Sequence, residues 1–437
     1  MVLSRHNIIG KLKGTGRFFI INPLSRNADL LEPEAAAQLA GGAYGNLPEL
    51  ASKGYLVDPE EERGRYRAAY LDFLDARDRG QTQIFFVPWY SCNFSCPYCY
   101  QESYGNRHGF LEDGVMDAFF SYVETELNGN PFYLTLFGGE PLLPGEKTRK
   151  SISGFLDRAA SRNLGVAVVT NGYTLPDYLD ILQRASIREI QVTLDGVGDV
   201  HDRRRPLHDG SPTFRNVVEG INQALKAGFP VNLRVVLDRE NIDSLPDLAR
   251  FARDEGWTGS PIFKTQLGRN YELHACQADS ARLFSRVELY EKLLEMIENH
   301  PEILDFHKPA FSLSKFLWEN GELPAPLFDS CPGCKTEWAF DFTGRIYACT
   351  ATVGKEGEEL GTFHPQVSRR ESMIREWQER DVTSIASCRD CSLQLACGGG
   401  CAAVARNSTG NLHAPDCRPV KELLEMGMSF YFGKEEA

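Results

Sequence analysis

The 437-residue sequence contains no apolar run of membrane-spanning length, no secretory-type N-terminal segment, no internal repeat and no low-complexity tract. Positive charge is in deficit. Lys and Arg number 47 against 60 Asp and Glu, for a formal net charge of −13. Such a balance argues against nucleic acid or an anionic membrane as a non-specific partner, and it suits a basic peptide. The expected location is cytoplasmic. Twelve cysteines are too few for a disulfide scaffold. In a reducing compartment, clustered cysteines point to metal or redox chemistry. Here eleven of the twelve fall into two groups, and the exception, Cys276, fits no motif.

The first group is C-x3-C-x2-C: Cys92, Cys96 and Cys99 in Ser-Cys-Asn-Phe-Ser-Cys-Pro-Tyr-Cys-Tyr. It follows Ile84-Phe85-Phe86-Val87, which reads as a buried strand. Iron–sulfur clusters are normally held by four thiolates. Three on one tight loop can hold a four-iron cube and leave one iron open to a ligand, as catalytic metal sites keep an open position. The same spacing would fit one face of a helix, but Pro97 disfavours a regular helix. The motif is read as a loop. A second strand, Tyr133–Phe137, runs into Gly138-Gly139-Glu140-Pro141. By turn chemistry this is simply a turn. Its place one βα unit after the cysteine loop favours a site, because glycines allow close approach of a ligand and a carboxylate suits an ammonium.

Val166–Val169 ends in Thr170-Asn171-Gly172, and Ile190–Leu194 ends in Asp195-Gly196. Val231–Leu237 and Ile262–Thr265 are further β-rich runs, with helical patterns between, such as Val115, Phe119, Tyr122 and Val123. Alternating strands and helices predict an α/β fold with a parallel sheet. Periodicity leaves a barrel and a doubly wound open sheet both standing. Arg234 is notable because an Arg inside an apolar strand needs a partner.

With Tyr98 as its aromatic, the C-x3-C-x-aromatic-C motif resembles that of the radical S-adenosylmethionine (SAM) enzymes. The resemblance implies a partial (β/α)6 TIM-like barrel with ligands at the carboxyl ends of the strands. It implies that Cys92, Cys96 and Cys99 hold a reducible [4Fe–4S] cluster whose free iron chelates SAM. One electron would then cleave SAM to methionine and a 5′-deoxyadenosyl radical. Gly138, Gly139, Glu140 and Pro141 would hold the SAM amino group. Thr170, Asn171, Thr193 and Arg234 would lie near its ribose or carboxylate. His201 and Asp202, in the loop after the fourth strand, are read as loop-ordering residues.

The late cysteines run Cys331-x2-Cys334, nine residues to Gly344, four to Cys349, then Cys388-x2-Cys391-x5-Cys397-x3-Cys401, and finally Cys417. Eight cysteines make two closed four-thiolate sites, for zinc or for four-iron clusters. The spacing resembles the SPASM extension of radical SAM enzymes, which implies two auxiliary [4Fe–4S] clusters and three in all. The inner would take Cys331, Cys334, Cys349 and Cys401; the outer would take Cys388, Cys391, Cys397 and Cys417. Gly398-Gly399-Gly400 is expected where a backbone between clusters has no room for Cβ.

The expected organisation is an N-terminal α+β segment over residues 1–80, a barrel over 81–278, a helical bridge over 279–328 and a cysteine-rich SPASM domain with a terminal helix over 329–437. In the first, Phe18–Ile21 and Ala28–Leu31 read as a hairpin, Pro33–Leu39 and Leu47–Val57 as helices, loosely resembling a trimmed winged helix that grips leader peptides; a simple cap on the barrel is the other reading. In the bridge, Val287, Tyr290, Leu294 and Ile297 are expected on one helix face, and Leu423, Leu424 and Met428 should pack a terminal helix.

The resemblance implies oxidative modification of a ribosomally made peptide or protein, by a thioether or carbon–carbon crosslink, with electrons from a donor such as flavodoxin or ferredoxin. A sulfatase-maturing formylglycine synthase is the alternative, weakened because Thr350 stands where that type carries an Asp base; a radical peptide epimerase is another. A non-enzymatic iron–sulfur electron carrier and a zinc protein are the readings from other classes. No catalytic side chain is assigned.

Overall fold

The computed structural model describes residues 1–42, 48–101, 109–127, 129–269 and 281–433; Cys276 lies outside them. Val2–Leu3 (β1) pairs with Leu56–Val57 (β5). Between them Ile8–Lys11 (β2), Phe18–Asn22 (β3) and Asn27–Leu31 (β4) form an antiparallel meander. The expected hairpin is thus two strands of three. The expected helix over Leu47–Val57 is cut to Pro48–Ser52, because the chain turns at Gly54 with φ +77° and then enters β5. A 20-residue helix, Pro59–Asp78, follows. Its start is well specified: Pro59 opens it and the Asp58 carboxylate accepts from the amides of Glu60 and Glu61.

Six parallel strands carry the centre: Thr82–Val87 (β6), Phe132–Leu136 (β7), Gly165–Thr170 (β8), Ser186–Thr193 (β9), Val231–Leu237 (β10) and Phe263–Arg269 (β11). They neighbour one another in chain order. Consecutive order is the singly wound pattern of a barrel, whereas a doubly wound sheet reverses direction at a switch point. The sheet stays open, since β11 and β6 are not paired to each other. β6 is buried along nearly its whole length, as a parallel strand covered on both faces should be. Phe86, Phe119, Phe120 and Phe155 form a fully buried aromatic group between sheet and helices.

The sheet continues into the C-terminal region. Glu337–Asp341 (β12) pairs parallel with β6, and Arg345–Tyr347 (β13), Gly361–Thr362 (β14) and Ser368–Arg369 (β15) add antiparallel strands outside it. The expected bridge helix spans Arg286–Asn299 and starts with a capping box of Ser285 and Glu288. Its buried face is Leu289, Leu293, Met296 and Ile297. Of the face read from sequence, only Ile297 belongs to it. The terminal helix Val420–Phe432 buries Leu423, Leu424 and Met428 as expected, and packs on Ile8, Phe19 and Ile21 of the meander. The helix Pro59–Asp78 lays Tyr66, Tyr70 and Phe73 on Phe328, Val382 and Ile385. The first and last parts of the chain are therefore bound to each other.

Candidate active site

A cavity of about 450 Å³ lies at the carboxyl ends of the parallel strands. Cys92, Cys96, Tyr98 and Cys99 line it, as do Gly138, Gly139 and Glu140. Thr170, Asn171, Thr193 and Arg234 line it too, and the opposite wall carries Cys331, Cys349 and Cys401. Pro141 and Cys334 are buried outside that lining.

The cysteine loop and the Gly-Gly-Glu-Pro turn are stitched together. The Glu140 amide donates to the Ser91 carbonyl at 2.8 Å. A Cβ on Gly139 would sit 2.2 Å from that carbonyl oxygen, so only glycine fits the contact. On the other side, the Ser95 amide bonds to the Pro206 carbonyl and the Asn171 amide side chain donates to Asn93 Oδ1 at 2.7 Å.

Glu140 is 1 % exposed. Its carboxylate accepts from Thr170 Oγ1 at 2.6 Å, the Asn171 amide at 2.6 Å and the Leu142 amide at 2.8 Å. Burial pushes its pKa up to about 7 against the pull of those three donors. A carboxylate has about four acceptor positions, so about one is left for a ligand donor. Thr170 and Asn171 are thus the residues that hold Glu140.

Tyr98 spends its hydroxyl on protein: it donates to the Asp195 carboxylate and accepts from Arg205 Nη1 at 2.7 Å. Asp195 also takes the Val236 amide at 3.0 Å and Arg204 Nε at 3.3 Å. Arg204 continues to Asp238 at 2.7 Å. Sequence reading missed Arg204 and Asp238; the available signal was Asp195 at a strand end. Arg234 lies beside Gly268 on the cavity wall. Among the described residues its guanidinium makes no hydrogen bond or ion pair. Asp202 accepts from the amides of Thr213 and Phe214, and His201 Nδ1 accepts from the Asp195 amide. Both order the loop.

The eleven described cysteines are all free of disulfides. Their charges couple within three sets. Cys92 feels the charge of Cys96 and Cys99; Cys349 feels Cys331 and Cys401, and Cys334 feels Cys331; Cys388 feels Cys397, Cys391 and Cys417. Burial pushes the Cys92 thiol up to about 12 and that of Cys388 up to about 11, and it raises that of Cys349 as well. Thiols crowded and desolvated in this way ionise only against a cationic centre. Thiolates are the donor type an iron–sulfur cluster takes, although among the described residues no three His, Cys, Asp or Glu side chains converge as a metal site. Gly398, Gly399 and Gly400 adopt φ of 64°, 76° and 72°. A Cβ on Gly400 would lie 2.0 Å from the Asp416 carbonyl oxygen. The left-handed φ favours glycine at all three, and neighbouring backbone crowds Gly398 and Gly400.

Glu337, which sequence reading also missed, reaches the cavity from the start of β12. Burial pushes its pKa up to about 7, opposed by the Thr350 amide donating at 3.1 Å. Nothing local distinguishes it in the sequence, since its burial comes from pairing beside β6.

Residues 86–252 match the family described as the radical SAM superfamily. These residues form a radical SAM domain, and the chain is an enzyme. It is 24% identical over 339 residues to the serine-type anaerobic sulfatase-maturating enzyme of Bacteroides thetaiotaomicron, covering 71% of this chain and 80% of that protein. It is 27% identical over 267 residues to a GTP 3′,8-cyclase of Helicobacter pylori, covering 59% and 77%. In fold it is similar to anSMEcpe with bound AdoMet and Cp18Cys peptide, with a TM-score of 0.60, 18% identity and coverage of 81% and 98%. It is also similar to Streptococcus suis SuiB bound to the precursor peptide SuiA, with a TM-score of 0.56, 14% identity and coverage of 96% and 99%.

Proposed function

We propose that this enzyme oxidatively modifies a side chain of a ribosomally made peptide or protein, using SAM and three [4Fe–4S] clusters. The observation that carries the reading is that Cys92, Cys96 and Cys99 line one wall of a cavity whose opposite wall carries Cys331, Cys349 and Cys401. When bound, the first cluster and SAM together supply a 5′-deoxyadenosyl radical, which takes one hydrogen from the substrate. The chain's residues have separate tasks. Cys92, Cys96 and Cys99 hold the open cluster; the free acceptor position of Glu140 takes the SAM ammonium and the unpaired Arg234 takes its carboxylate. Gly138, Gly139 and the buried Pro141 shape that turn, while Tyr98 and Thr193 line the cavity. Cys331, Cys334, Cys349 and Cys401 hold the inner auxiliary cluster. Cys388, Cys391, Cys397 and Cys417 hold the outer one, and the exposure of Cys417 suits exchange with a flavodoxin or ferredoxin. The meander offers a docking edge for an extended leader: β4 ends the small sheet and Leu30 is exposed.

A crosslink would remove two hydrogens, one to the deoxyadenosyl group that SAM would supply and one as a proton and an electron, which a cluster held by Cys331, Cys334, Cys349 and Cys401 would accept. The peptide should therefore lose about two mass units per event, with 5′-deoxyadenosine formed in step. The anaerobically reconstituted protein should carry about twelve irons, and Cys92, Cys96 and Cys99 changed together to Ala should leave about eight with no SAM cleavage. Four irons in the native protein, or SAM cleavage by the triple variant, would refute the assignment. An aldehyde product would instead favour the sulfatase-maturing reaction, and solvent deuterium at unchanged bonding would favour epimerisation.

A further inference from the structure

The two walls of the cavity differ in charge. The barrel wall carries Arg205, Arg234 and Arg269; among the described residues the C-terminal wall carries one charged side chain, Glu337, with no Lys or Arg. Arg205 is engaged with Tyr98, and Arg269 donates to the Phe284 carbonyl. Among the described residues the Thr350 amide is the one donor to the Glu337 carboxylate, at Oε1. Its capacity is about four. A second polar group is short of a partner: Gln101 Nε2 is buried without a hydrogen bond, and Gln101 also lines the cavity. Gln101 takes no part in the contacts above, and Glu337 enters them only through its charge on Cys349 and Cys334.

We propose that Glu337 and Gln101 form the subsite that selects the reacting segment of the substrate. Glu337 accepts from an N–H-bearing, cationic side chain of the peptide, and Gln101 donates to a carbonyl oxygen of the same segment. An acceptor and a donor on one cavity match a peptide, which offers both groups. A lone carboxylate on a wall without cations disfavours an anionic substrate such as a nucleoside triphosphate, by like charge and by the loss of water from its phosphates. The assignment rests on the peptide reading of the function, and it narrows that reading to basic segments. It also agrees with the net charge of −13.

The test uses the reconstituted full-length protein saturated with S-adenosylhomocysteine, titrated calorimetrically with four probes. Three are acetyl-Gly-Gly-Xaa-Gly-Gly-amide peptides with Lys, Arg or Glu as Xaa; the fourth is GTP. The Lys and Arg peptides should bind about tenfold or more tighter than the Glu peptide, the usual scale for one buried charge-assisted hydrogen bond. Glu337→Gln should shrink that ratio to about threefold or less, and Glu337→Lys should invert it. Gln101→Ala should weaken all three peptides alike and leave the ratio unchanged. Absence of a charge preference in the native protein overturns the proposal by itself, whether or not the variants take up iron. A preference that survives in an iron-loaded Glu337→Gln protein overturns it as well. Peptides that bind without preference leave the peptide reading standing, whereas GTP binding in place of every peptide removes both.

Discussion

His201 has no exposed surface, and its Nδ1 accepts from the Asp195 amide, so the folded protein needs this ring neutral. Burial, then the charge of Arg205, pushes its pKa down to about 3. His6 is pushed down to about 4 by burial and Arg5, and His307 to about 4 by burial and Lys315. A histidine near 6.5 in the unfolded chain and lower in the folded one binds its proton preferentially when unfolded. Its stabilising contribution is fully present above about pH 6.5 and is lost as pH falls through the folded values. The denaturation midpoint should therefore drop between pH 6.5 and 4, and His201→Gln should flatten part of that slope. A slope unchanged by the substitution would show that the ring titrates in a different environment. Arg234 illustrates the other kind of residue-level information: a guanidinium on a cavity wall with no hydrogen bond to the described residues is placed to meet an anionic group.

Two glycines hold elements together by having no side chain. At Gly139 the turn after β7 touches the start of the cysteine loop, where a Cβ would come within 2.2 Å of the Ser91 oxygen. Gly139→Ala must push the loop away, so it should lose SAM binding and lower iron from about twelve toward about eight per chain. At Gly400 the added Cβ meets the Asp416 oxygen at 2.0 Å, at a φ of +72°. Asp416 precedes Cys417, and its carboxylate accepts from the Cys401 amide at 3.1 Å. Gly400→Ala should therefore disturb both four-cysteine groups and take iron toward about four, while the first cluster still cleaves SAM. Iron analysis with electron paramagnetic resonance separates these two patterns; identical losses in both variants would argue against separate groups. Buried Arg380 supports the same region by donating to the carbonyls of Gly399, Gly400, Leu412 and Ala414.

At the scale of the molecule, the C-terminal region completes the central sheet. β12 pairs with β6 over Glu337–Asp341, and the terminal helix covers Ile8, Phe19 and Ile21. A chain ending at Phe328 would bare the edge of a strand buried on both faces, together with an apolar patch under the helix Pro59–Asp78. Exposed edges of this kind aggregate. The truncated protein should be insoluble on expression, and a soluble, cooperatively unfolding fragment would contradict this view of the fold.

The sequence by itself determined the elements that depend on neighbours in the chain. The six parallel strands, the three-cysteine loop and the Gly-Gly-Glu-Pro turn were legible because period, turn chemistry and thiol spacing are local signals. The helix Pro59–Asp78 was missed although its Asp58 and Pro59 start is a local signal too, because most of its surface is polar. Tertiary structure alone decided the consecutive sheet order, the union of β12 with β6, and the spending of Tyr98 on Asp195 and Arg205. It also brought Glu337 beside Thr350 and left Arg234 facing the cavity. These depend on contacts between residues tens to hundreds of positions apart. The free energy of a buried charge is set by what surrounds it after folding, which no local pattern of residues records.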